Sequence, residues 1–211
     1  MTTLVIGANG QIGRQVCAIA HRQGHPIRAM IRSAEQRDWF EQQGIETVVA
    51  DLEGDFASAF EGCDQVLFTA GSGPNTGPDK TLLIDLYAAT RVADEASRQG
   101  LDRMLMVSAM RAEQPLQAPE KLRPYMAAKF AADAYLRSSK VDHVIVKPGR
   151  LTDDDATGRV ATSLDETGGN NQISRANVAQ ALVYLLGQRK IRNHETVLLD
   201  GEREIAEALG D

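Results

Sequence analysis

Residues 3–13 read TLVIGANGQIG, an apolar run that passes directly into three closely spaced glycines. The run at about 3–7 predicts a buried β-strand, and the segment after it predicts a helix that begins inside the glycine turn. Glycine at such a junction permits a tight turn, a close approach of backbone to a ligand, and close packing of helix on strand. The spacing Gly7-x-x-Gly10-x-x-Gly13 therefore predicts a site for the diphosphate of a dinucleotide at the start of that helix.

Beyond this turn, short apolar runs alternate with longer amphipathic segments along the chain. This alternation is typical of βαβ units that bury a parallel sheet. Right-handed crossovers then predict an α/β fold of the Rossmann type, a doubly wound parallel sheet with strand order 3-2-1-4-5-6 and a short seventh strand at one edge. The expected strands are, approximately, residues 3–7, 26–31, 45–50, 65–70, 102–108, 142–147 and 195–199.

Helices are expected where apolar residues recur on one face between these strands. Gly24 and Gly100 stand where a glycine commonly ends a helix, and Pro124 suits a first helical turn. Because 211 residues fit one domain, we expect residues 1–211 to form a single dinucleotide-binding Rossmann domain, with about 150–211 as a small cap on the substrate side. The expected helices are residues 11–23, 81–99 and 124–138, and one that Ser174 caps.

The composition argues against several kinds of partner. The formal net charge is −6 and the basic residues form no stripe, so nucleic acid is not an expected partner. No apolar stretch approaches the ~18 residues of a membrane span, and the first residues lack a secretory signal, so we expect a cytoplasmic protein that binds no membrane. Asp153, Asp154 and Asp155 are consecutive and point in different directions, which predicts a solvated loop and no metal site.

The end of the second strand predicts which nicotinamide nucleotide binds. An NAD-specific site would carry an acidic residue about 20 positions after the glycines to hold the ribose 2′-hydroxyl. Here Arg32 and Ser33 stand in that place. A guanidinium suits a 2′-phosphate, with Arg14 and Arg37 as further donors, so NADP is expected and NADPH is preferred over NADH. The alternative is that Arg32 is a solvated surface arginine.

Two further strand ends are expected to border the cofactor. Asp51, followed by Leu52, ends the third strand and could accept a hydrogen bond from the adenine amino group, or it could only cap the next helix. Residues 70–72 leave the fourth strand without bulky side chains, which is consistent with backbone passing close to the cofactor; the alternative is a flexible loop. The cofactor-binding residues predicted from these patterns are Gly7, Asn9, Gly10, Gln11, Ile12, Gly13, Arg14, Arg32, Ser33, Asp51, Leu52, Ala70, Gly71 and Ser72.

Tyr125 and Lys129 are four residues apart on one predicted helix, so their polar ends can act on one site. A phenol is a poor acid at neutral pH, and Lys129 with the oxidised nicotinamide would supply the positive charge that it needs. Ser108 ends the fifth strand at the carboxyl edge of the sheet, where its hydroxyl could hold a carbonyl oxygen. The hypothesis is hydride transfer to a carbonyl-like carbon, with Tyr125 donating the proton, Lys129 tuning it and binding ribose, and Ser108 orienting substrate. A half-buried aromatic and a satisfied strand-end hydroxyl are the alternatives.

An ordered set of segments resembles the atypical short-chain dehydrogenase/reductase family over essentially the whole chain. The set consists of GANGQIGR at 7–14, Arg32, Asp51-Leu52, Ser108, YMAAK at 125–129 and VIVKPGRLTDD at 144–154. It is most similar to small NAD(P)H-binding members, near NmrA-like and flavin- or biliverdin-reductase-like proteins.

The resemblance implies a catalytic triad of Ser108, Tyr125 and Lys129, although some atypical members catalyse nothing through it. Lys147 stands where the family commonly has an arginine, and Asn177 where it commonly has an aspartate, so substrate recognition is expected to differ. The resemblance further implies NADP binding by Gly7, Gly10, Gly13, Arg32 and the backbone near Pro148 and Gly149.

The leading prediction is an NADPH-dependent oxidoreductase that acts on a small carbonyl, quinone or flavin-like substrate. A non-catalytic NADP(H)-binding redox sensor with a protein partner is the alternative from another class. A nucleotide-sugar epimerase or dehydratase is a third reading, weakened because the region after the sixth strand is short for a sugar-nucleotide cap. The helices at 81–99 and 124–138 are candidate faces for a homodimer.

Overall fold

The structure is a computed structural model that describes residues 1–73 and 75–210. Its strands are β1 (Thr3–Ile6), β2 (Ile27–Ile31), β3 (Glu46–Val49), β4 (Gln65–Phe68), β5 (Arg103–Val107), β6 (Asp142–Pro148), β7 (Arg150–Thr152), β8 (Arg159–Ala161), β9 (Gln172–Ser174), β10 (His194–Asp200) and β11 (Arg203–Glu204). Within these ranges nine strands form one sheet in the order β11-β8-β10-β6-β5-β4-β1-β2-β3. Strands β1 to β6 run parallel in the order 3-2-1-4-5-6, which confirms the predicted Rossmann α/β fold.

The predicted seventh strand is β10, but it does not lie at the edge of the sheet. It pairs in parallel with β6, and β8 and β11 continue the sheet beyond it in antiparallel pairs. These two added strands have only three and two residues, too few to show an alternating pattern in the sequence.

A second, two-stranded parallel sheet of β7 and β9 was also not predicted. It begins after Gly149, where the chain passes so close to Asn171 that a Cβ on residue 149 would lie 2.2 Å from the Asn171 carbonyl oxygen. Only glycine fits this approach without a shift of the backbone. The chain can therefore leave the main sheet directly after β6 and form the small sheet beside it.

The helices lie between the strands, as the alternation predicts. The helix predicted at 81–99 begins earlier, at Pro78. Its segment Thr81–Ala88 is π-helical, with wider turns than the 3.6-residue spacing indicates. Ser174 caps its helix as predicted, because its side chain accepts a hydrogen bond from the Asn177 backbone N–H at 3.0 Å. The α-helices are α1 (Gln11–Arg22), α2 (Arg37–Gln42), α3 (Pro78–Lys80), α4 (Ala89–Arg98), α5 (Arg123–Ser138), α6 (Arg175–Gly187) and α7 (Ile205–Leu209).

The sheet buries both of its faces. Successive strand residues point to opposite faces, so each strand contributes to two cores. Val5, Leu67 and Leu105 belong to the core on the side of α1 and α6, whereas Leu4 and Val66 belong to the core on the side of α4 and α5. Because β1, β4, β5 and β6 pair in parallel, their carboxyl ends meet at one edge of the sheet.

No helix in residues 1–73 and 75–210 is both long and apolar enough to cross a bilayer. The same ranges contain no group of three His, Cys, Asp or Glu side chains arranged to hold a metal ion. In the acidic triplet at 153–155, Asp153 Oδ1 accepts a hydrogen bond from Arg175 Nη1 at 2.7 Å. The three carboxylates are exposed, in agreement with the predicted solvated loop.

Candidate functional site

The glycine turn between β1 and α1 leaves no room for side chains. Gly7 has a φ of +83°, and a Cβ there would lie 2.5 Å from the backbone nitrogen of Ala70. A Cβ on Gly13 would lie 2.2 Å from the Gly7 carbonyl oxygen. Gly10 is the N-cap of α1, and no side chain in the described part of the chain caps that end. The first amide N–H groups of α1 are therefore open to an anion that approaches through the turn.

This turn forms one wall of a cavity of about 390 Å³ at the carboxyl edge of the sheet. Met30, Ala50 and Ile84 give the cavity apolar surfaces, and polar residues and glycines complete its lining. The space is large enough for part of a dinucleotide. Nine of the predicted cofactor-binding residues line it: Gly7, Asn9, Gly10, Arg32, Asp51, Leu52, Ala70, Gly71 and Ser72.

Arg32 lies at the mouth of this cavity with its side chain exposed. Its backbone N–H donates to Gln36 Oε1 at 3.0 Å, which fixes the turn after β2. Among residues 1–73 and 75–210, no acidic side chain forms a salt bridge with its guanidinium. Asp51, across the cavity, accepts a hydrogen bond from the Glu53 backbone N–H at 3.0 Å, so it stabilises its own turn rather than a helix N-terminus.

Other predicted residues of the nucleotide site do not line the cavity. Arg14 donates to Asn9 Oδ1 at 2.6 and 3.0 Å, and its guanidinium lies 5.0 Å from the centre of the Trp39 ring. Arg14 therefore contacts Asn9, which lines the cavity, but does not line the cavity itself. Arg37 lies 3.8 Å from Glu41 on its own helix, outside the cavity. Four more residues predicted from the sequence patterns do not line it either: Gln11, Ile12, Gly13 and Ser33.

Several residues that the sequence patterns did not indicate also line the cavity. Lys80 Nζ contacts both carboxylate oxygens of Glu53 at 2.7 Å, and both residues line the cavity. Gln36, Thr69 and Thr76 line it too. These residues come from the connections after β2, β3 and β4, including the short helix α3 that carries Lys80, where local sequence carries no periodic signal.

Tyr125 and Lys129 come together on α5, as the four-residue spacing predicts. Lys129 is 3% exposed; its Nζ lies 5.6 Å from the centre of the Tyr125 ring and donates to the Val107 carbonyl oxygen at 3.2 Å. The same ammonium lies 3.2 Å from Asp85 Oδ1 in the π-helical segment. Burial opposes the charge on Lys129, but Tyr125 and Asp85 outweigh it, so the pKa of Lys129 is raised.

Ser108 follows β5 and is buried against α5. Its Oγ donates a hydrogen bond to Asp133 Oδ2 at 2.9 Å, and its backbone N–H donates to the Val146 carbonyl oxygen. Asp133 is 1% exposed, and burial raises its pKa in spite of the Ser108 bond and of Lys147, whose Nζ lies 3.9 Å away. The single hydroxyl hydrogen of Ser108 therefore points to Asp133 and not to a carbonyl oxygen in the cleft.

Pro148 is the last residue of β6 and Gly149 follows it, beside Ser108 and Asp133. The Pro148 carbonyl oxygen accepts from the Met110 backbone N–H at 2.9 Å, and the Gly149 N–H donates to Leu198 at 3.1 Å. Neither residue lines the 390 Å³ cavity, and neither do Ser108, Tyr125 or Lys129. These five residues instead lie at or next to the carboxyl ends of β5 and β6.

The sequence reasoning did not identify the two buried carboxylates, Asp85 and Asp133. A signal for each was present, because each is the one acidic residue in a largely apolar helical run, LLIDLYA and AADAYL. An acid in such a run is rarely buried without a partner, so its position predicts a contact with a cation or a donor. Here the partners are Lys129 and Ser108.

Comparison with protein families matches residues 7–189 to a family described as NAD(P)H-binding. A Bacillus subtilis (strain 168) protein named an uncharacterized sugar epimerase is 41% identical over 213 residues, covering 99% of each chain.

Solved structures resemble the chain over its whole length. A Bacillus halodurans protein, provisionally named an NAD-dependent epimerase/dehydratase, has a TM-score of 0.95 at 38% identity, and the match covers 100% of this chain and 99% of that one. An anaerobillin reductase from Escherichia coli O157:H7 has a TM-score of 0.74 at 23% identity, covering 97% of this chain and 99% of that one. At that identity the second match shows a shared fold alone.

Proposed function

Because this chain belongs to the NAD(P)H-binding family, we propose that it is an NADPH-dependent oxidoreductase of the atypical short-chain dehydrogenase/reductase type. The acceptor is a small carbonyl, quinone or flavin-like molecule, reduced in the cytoplasm. One observation carries the proposal: the cavity at the glycine turn and the Tyr125–Lys129 pair lie at the same edge of the sheet. Chain segments beyond β6, including the small sheet of β7 and β9, form the substrate side.

The residues present fit a nicotinamide dinucleotide. The turn excludes side chains at Gly7 and Gly13, and from Gly10 onward it presents the backbone N–H groups of α1, which suits a diphosphate. Arg32, with no acidic partner among the described residues, offers a free guanidinium for the 2′-phosphate. Lys129, and the backbone of Pro148 and Gly149, would border the nicotinamide riboside. When bound, the reduced nicotinamide supplies the hydride.

Tyr125 is the proposed proton donor to the reduced acceptor. It is half-buried on α5, so its phenol can reach both a bound acceptor and water. Lys129 holds a positive charge beside the ring and stabilises the phenolate that forms when the proton leaves. The Ser108 hydroxyl hydrogen is donated to the Asp133 carboxylate. Ser108 can therefore orient a carbonyl oxygen only when Asp133 is protonated and itself donates to Ser108.

A panel of quinones, flavins and aldehydes tests the reductase assignment through NADPH consumption. With a carbonyl acceptor from that panel, Tyr125→Phe should lower kcat/KM by about 100-fold or more, because a positioned proton donor is lost. The dissociation constant of NADPH should change little. Tyr135→Phe is the matched control, since Tyr135 is an exposed tyrosine on the same helix that donates to Asp94. Unchanged carbonyl turnover in Tyr125→Phe would remove Tyr125 from the mechanism.

The preference for NADPH is tested by Arg32→Ala. Loss of a charged hydrogen-bond donor to the 2′-phosphate should weaken NADPH binding by about 10-fold or more and leave NADH binding nearly unchanged. Calorimetry with both nucleotides measures this difference. Arg22→Ala, which removes an exposed arginine at the far end of α1, should alter neither affinity. Tighter binding of NADH than of NADPH by the unaltered protein would contradict the assignment.

A second candidate is a non-catalytic NADP(H)-binding redox sensor. One observation favours it: Lys129 and Ser108 are already satisfied by Asp85 and Asp133, as in a site that need not react. Tight NADP(H) binding without turnover across the panel would support the sensor.

A third candidate is an epimerase or dehydratase that acts on nucleotide sugars. It rests on the names of the Bacillus relatives. Such an enzyme would interconvert nucleotide sugars without net NADPH consumption, and product analysis would detect this.

A further inference from the structure

Asp85 lies at the meeting point of the cavity and the Tyr125–Lys129 pair. It sits in the π-helical segment Thr81–Ala88 and is 1% exposed. Burying a carboxylate is costly unless its charge and its lone pairs find partners. Its surroundings therefore indicate what the residue does for the site.

One oxygen of Asp85 holds the wall of the cavity. Oδ2 accepts a hydrogen bond from the Ser72 backbone N–H at 3.0 Å, and the Ser72 hydroxyl lies 3.3 Å from that of Thr81 in the same π-helical segment. Gly71 is packed against the carboxylate too, since a Cβ there would lie 3.1 Å from Oδ1. Gly71 and Ser72 both line the cavity, so Asp85 determines where this stretch of backbone runs.

The other oxygen of Asp85 faces the ammonium of Lys129. Oδ1 lies 3.2 Å from Nζ and accepts no hydrogen bond from any other described residue. The remaining groups that act on the Lys129 charge are Tyr125, on its own helix, Asp133, one turn further along, and the Val107 carbonyl oxygen. Asp85 is thus the carboxylate in direct contact with Lys129.

We propose that Asp85 is a positioning residue that fixes two parts of the site at once, the cavity wall at Ser72 and the ammonium of Lys129. The π-helical segment makes this possible, because its wider turn places one carboxylate between the end of β4 and α5. This inference rests on the proposed function in one respect, because the role of Lys129 in the reaction is taken from it. Both contacts can be measured without any turnover.

The Lys129 contact is tested by titration of the lysines, of which the chain has six. NMR of protein labelled with ¹³C-lysine gives the pKa of each side chain, and Lys129→Arg assigns the signal. Asp85→Asn should lower the pKa of Lys129 by about 1 unit or more, because the charged neighbour is lost. Asp94→Asn, which removes an exposed acid from the adjoining helix α4, should leave it unchanged. An unaltered Lys129 pKa in Asp85→Asn would overturn the proposal.

The Ser72 contact is tested by comparing Asp85→Asn with Asp85→Ala. An asparagine oxygen can still accept from the Ser72 N–H, whereas alanine cannot. Binding of adenosine 2′,5′-bisphosphate, measured by calorimetry, should stay within about 2-fold in Asp85→Asn and weaken about 5-fold in Asp85→Ala. Equal affinities of the two variants would refute the role at the cavity wall. Failure of the unaltered protein to bind the bisphosphate would refute the NADP assignment and leave the lysine titration to decide on Asp85.

Asp85→Asn leaves a buried ammonium without its partner and could unfold the protein. The double variant Asp85→Asn/Lys129→Met removes both charges, and it should unfold at a higher urea concentration than Asp85→Asn alone. Equal or lower stability of the double variant would show that the two side chains do not act as a pair, against the proposal.

Discussion

At the residue scale, Asn177 makes contacts that an aspartate in its place could not make. Its Oδ1 accepts from the backbone N–H groups of Thr157 and Gly158 at 3.1 and 3.0 Å. Its Nδ2 donates to Asp200 Oδ1 at 2.6 Å, and Asp200 also accepts from the Ser174 N–H. An aspartate at 177 could not donate, and it would bring a second carboxylate against Asp200.

Asn177→Asp is therefore expected to lower the free energy of unfolding by about 2 kcal/mol at pH 7. Urea unfolding at pH 7 measures this. The exchanged pair Asn177→Asp/Asp200→Asn should recover most of the stability, and failure of the exchange to do so would show that the contact with Asp200 is not the cause.

The candidate site was predictable from sequence where its residues act through spacing or backbone. Gly7 and Gly10 stand out by their spacing after a strand, and Tyr125 with Lys129 by their four-residue separation. Asp85 was missed, because a periodicity analysis treats a single acid in a helix as part of a solvated face. Only the fold shows that this acid is turned towards a buried lysine.

At the element scale, Arg103 on β5 fixes the end of α6. The side chain is fully buried, and burial lowers its pKa to about 10. Its Nε donates to Gln65 Oε1 at 2.9 Å. The other nitrogens donate to the backbone carbonyl oxygens of Leu185, Leu186, Gln188 and Ile191. These carbonyls lie at and just beyond the C-terminus of α6, where helix carbonyls lack partners and a cation is favourable.

Replacing Arg103 by Met should cost about 3 kcal/mol of unfolding free energy, because four backbone carbonyl groups and the Gln65 side chain each lose a charged donor. Arg103→Lys should recover only part of this, since an ammonium lacks the planar fork that reaches several acceptors. Chemical denaturation compares these variants with Arg98→Met, which removes an exposed arginine paired with Glu95 and should cost less than ~0.5 kcal/mol. If Arg103→Met lowered the unfolding free energy as little as the control does, water would have replaced the hydrogen bonds of Arg103.

Helices and strands with a clear periodic pattern of apolar residues could be predicted from the sequence, and elements without such a pattern could not. The six parallel strands are apolar runs bounded by turns, and their order follows from the handedness of the crossovers. The π-helical character of Thr81–Ala88 is invisible to a 3.6-residue pattern. The short strand β8 pairs with the edge of β10, and β11 pairs with β8 in turn, so both depend on the assembled sheet.

At the scale of the whole molecule, Glu195 ties the sheet to the helical layer. It lies on β10, contacts Arg137 of α5 through both carboxylate oxygens, and lies 2.8 Å from Lys147 Nζ of β6. The hydrogen bond from Arg137 is the largest cause that lowers the pKa of Glu195, to about 2; Lys147 adds to it and burial opposes it. The carboxylate thus joins β10 to α5 and β6, two elements much earlier in the sequence.

Since the folded pKa of Glu195 lies below the value of ~4.3 for an unfolded glutamate, its stabilising effect is full above about pH 4.5. It should disappear as the pH falls towards 2. Glu195→Gln should therefore be less stable by about 1 kcal/mol at pH 7, a modest value because the pair is partly exposed. Urea unfolding from pH 7 to 2.5 should show the variant and the unaltered protein converging. A constant difference across this range would mean that the carboxylate charge is not responsible.

The pairing of Asp85 with Lys129 also constrains how descendants of this chain can change. Loss of either charge alone leaves the other buried without its partner. A lineage that lost one of the two charges would therefore be under selection to lose the other as well. Homologues should then vary at positions 85 and 129 together, and a sequence survey that found either position drifting independently would show that selection does not act on the two as a unit.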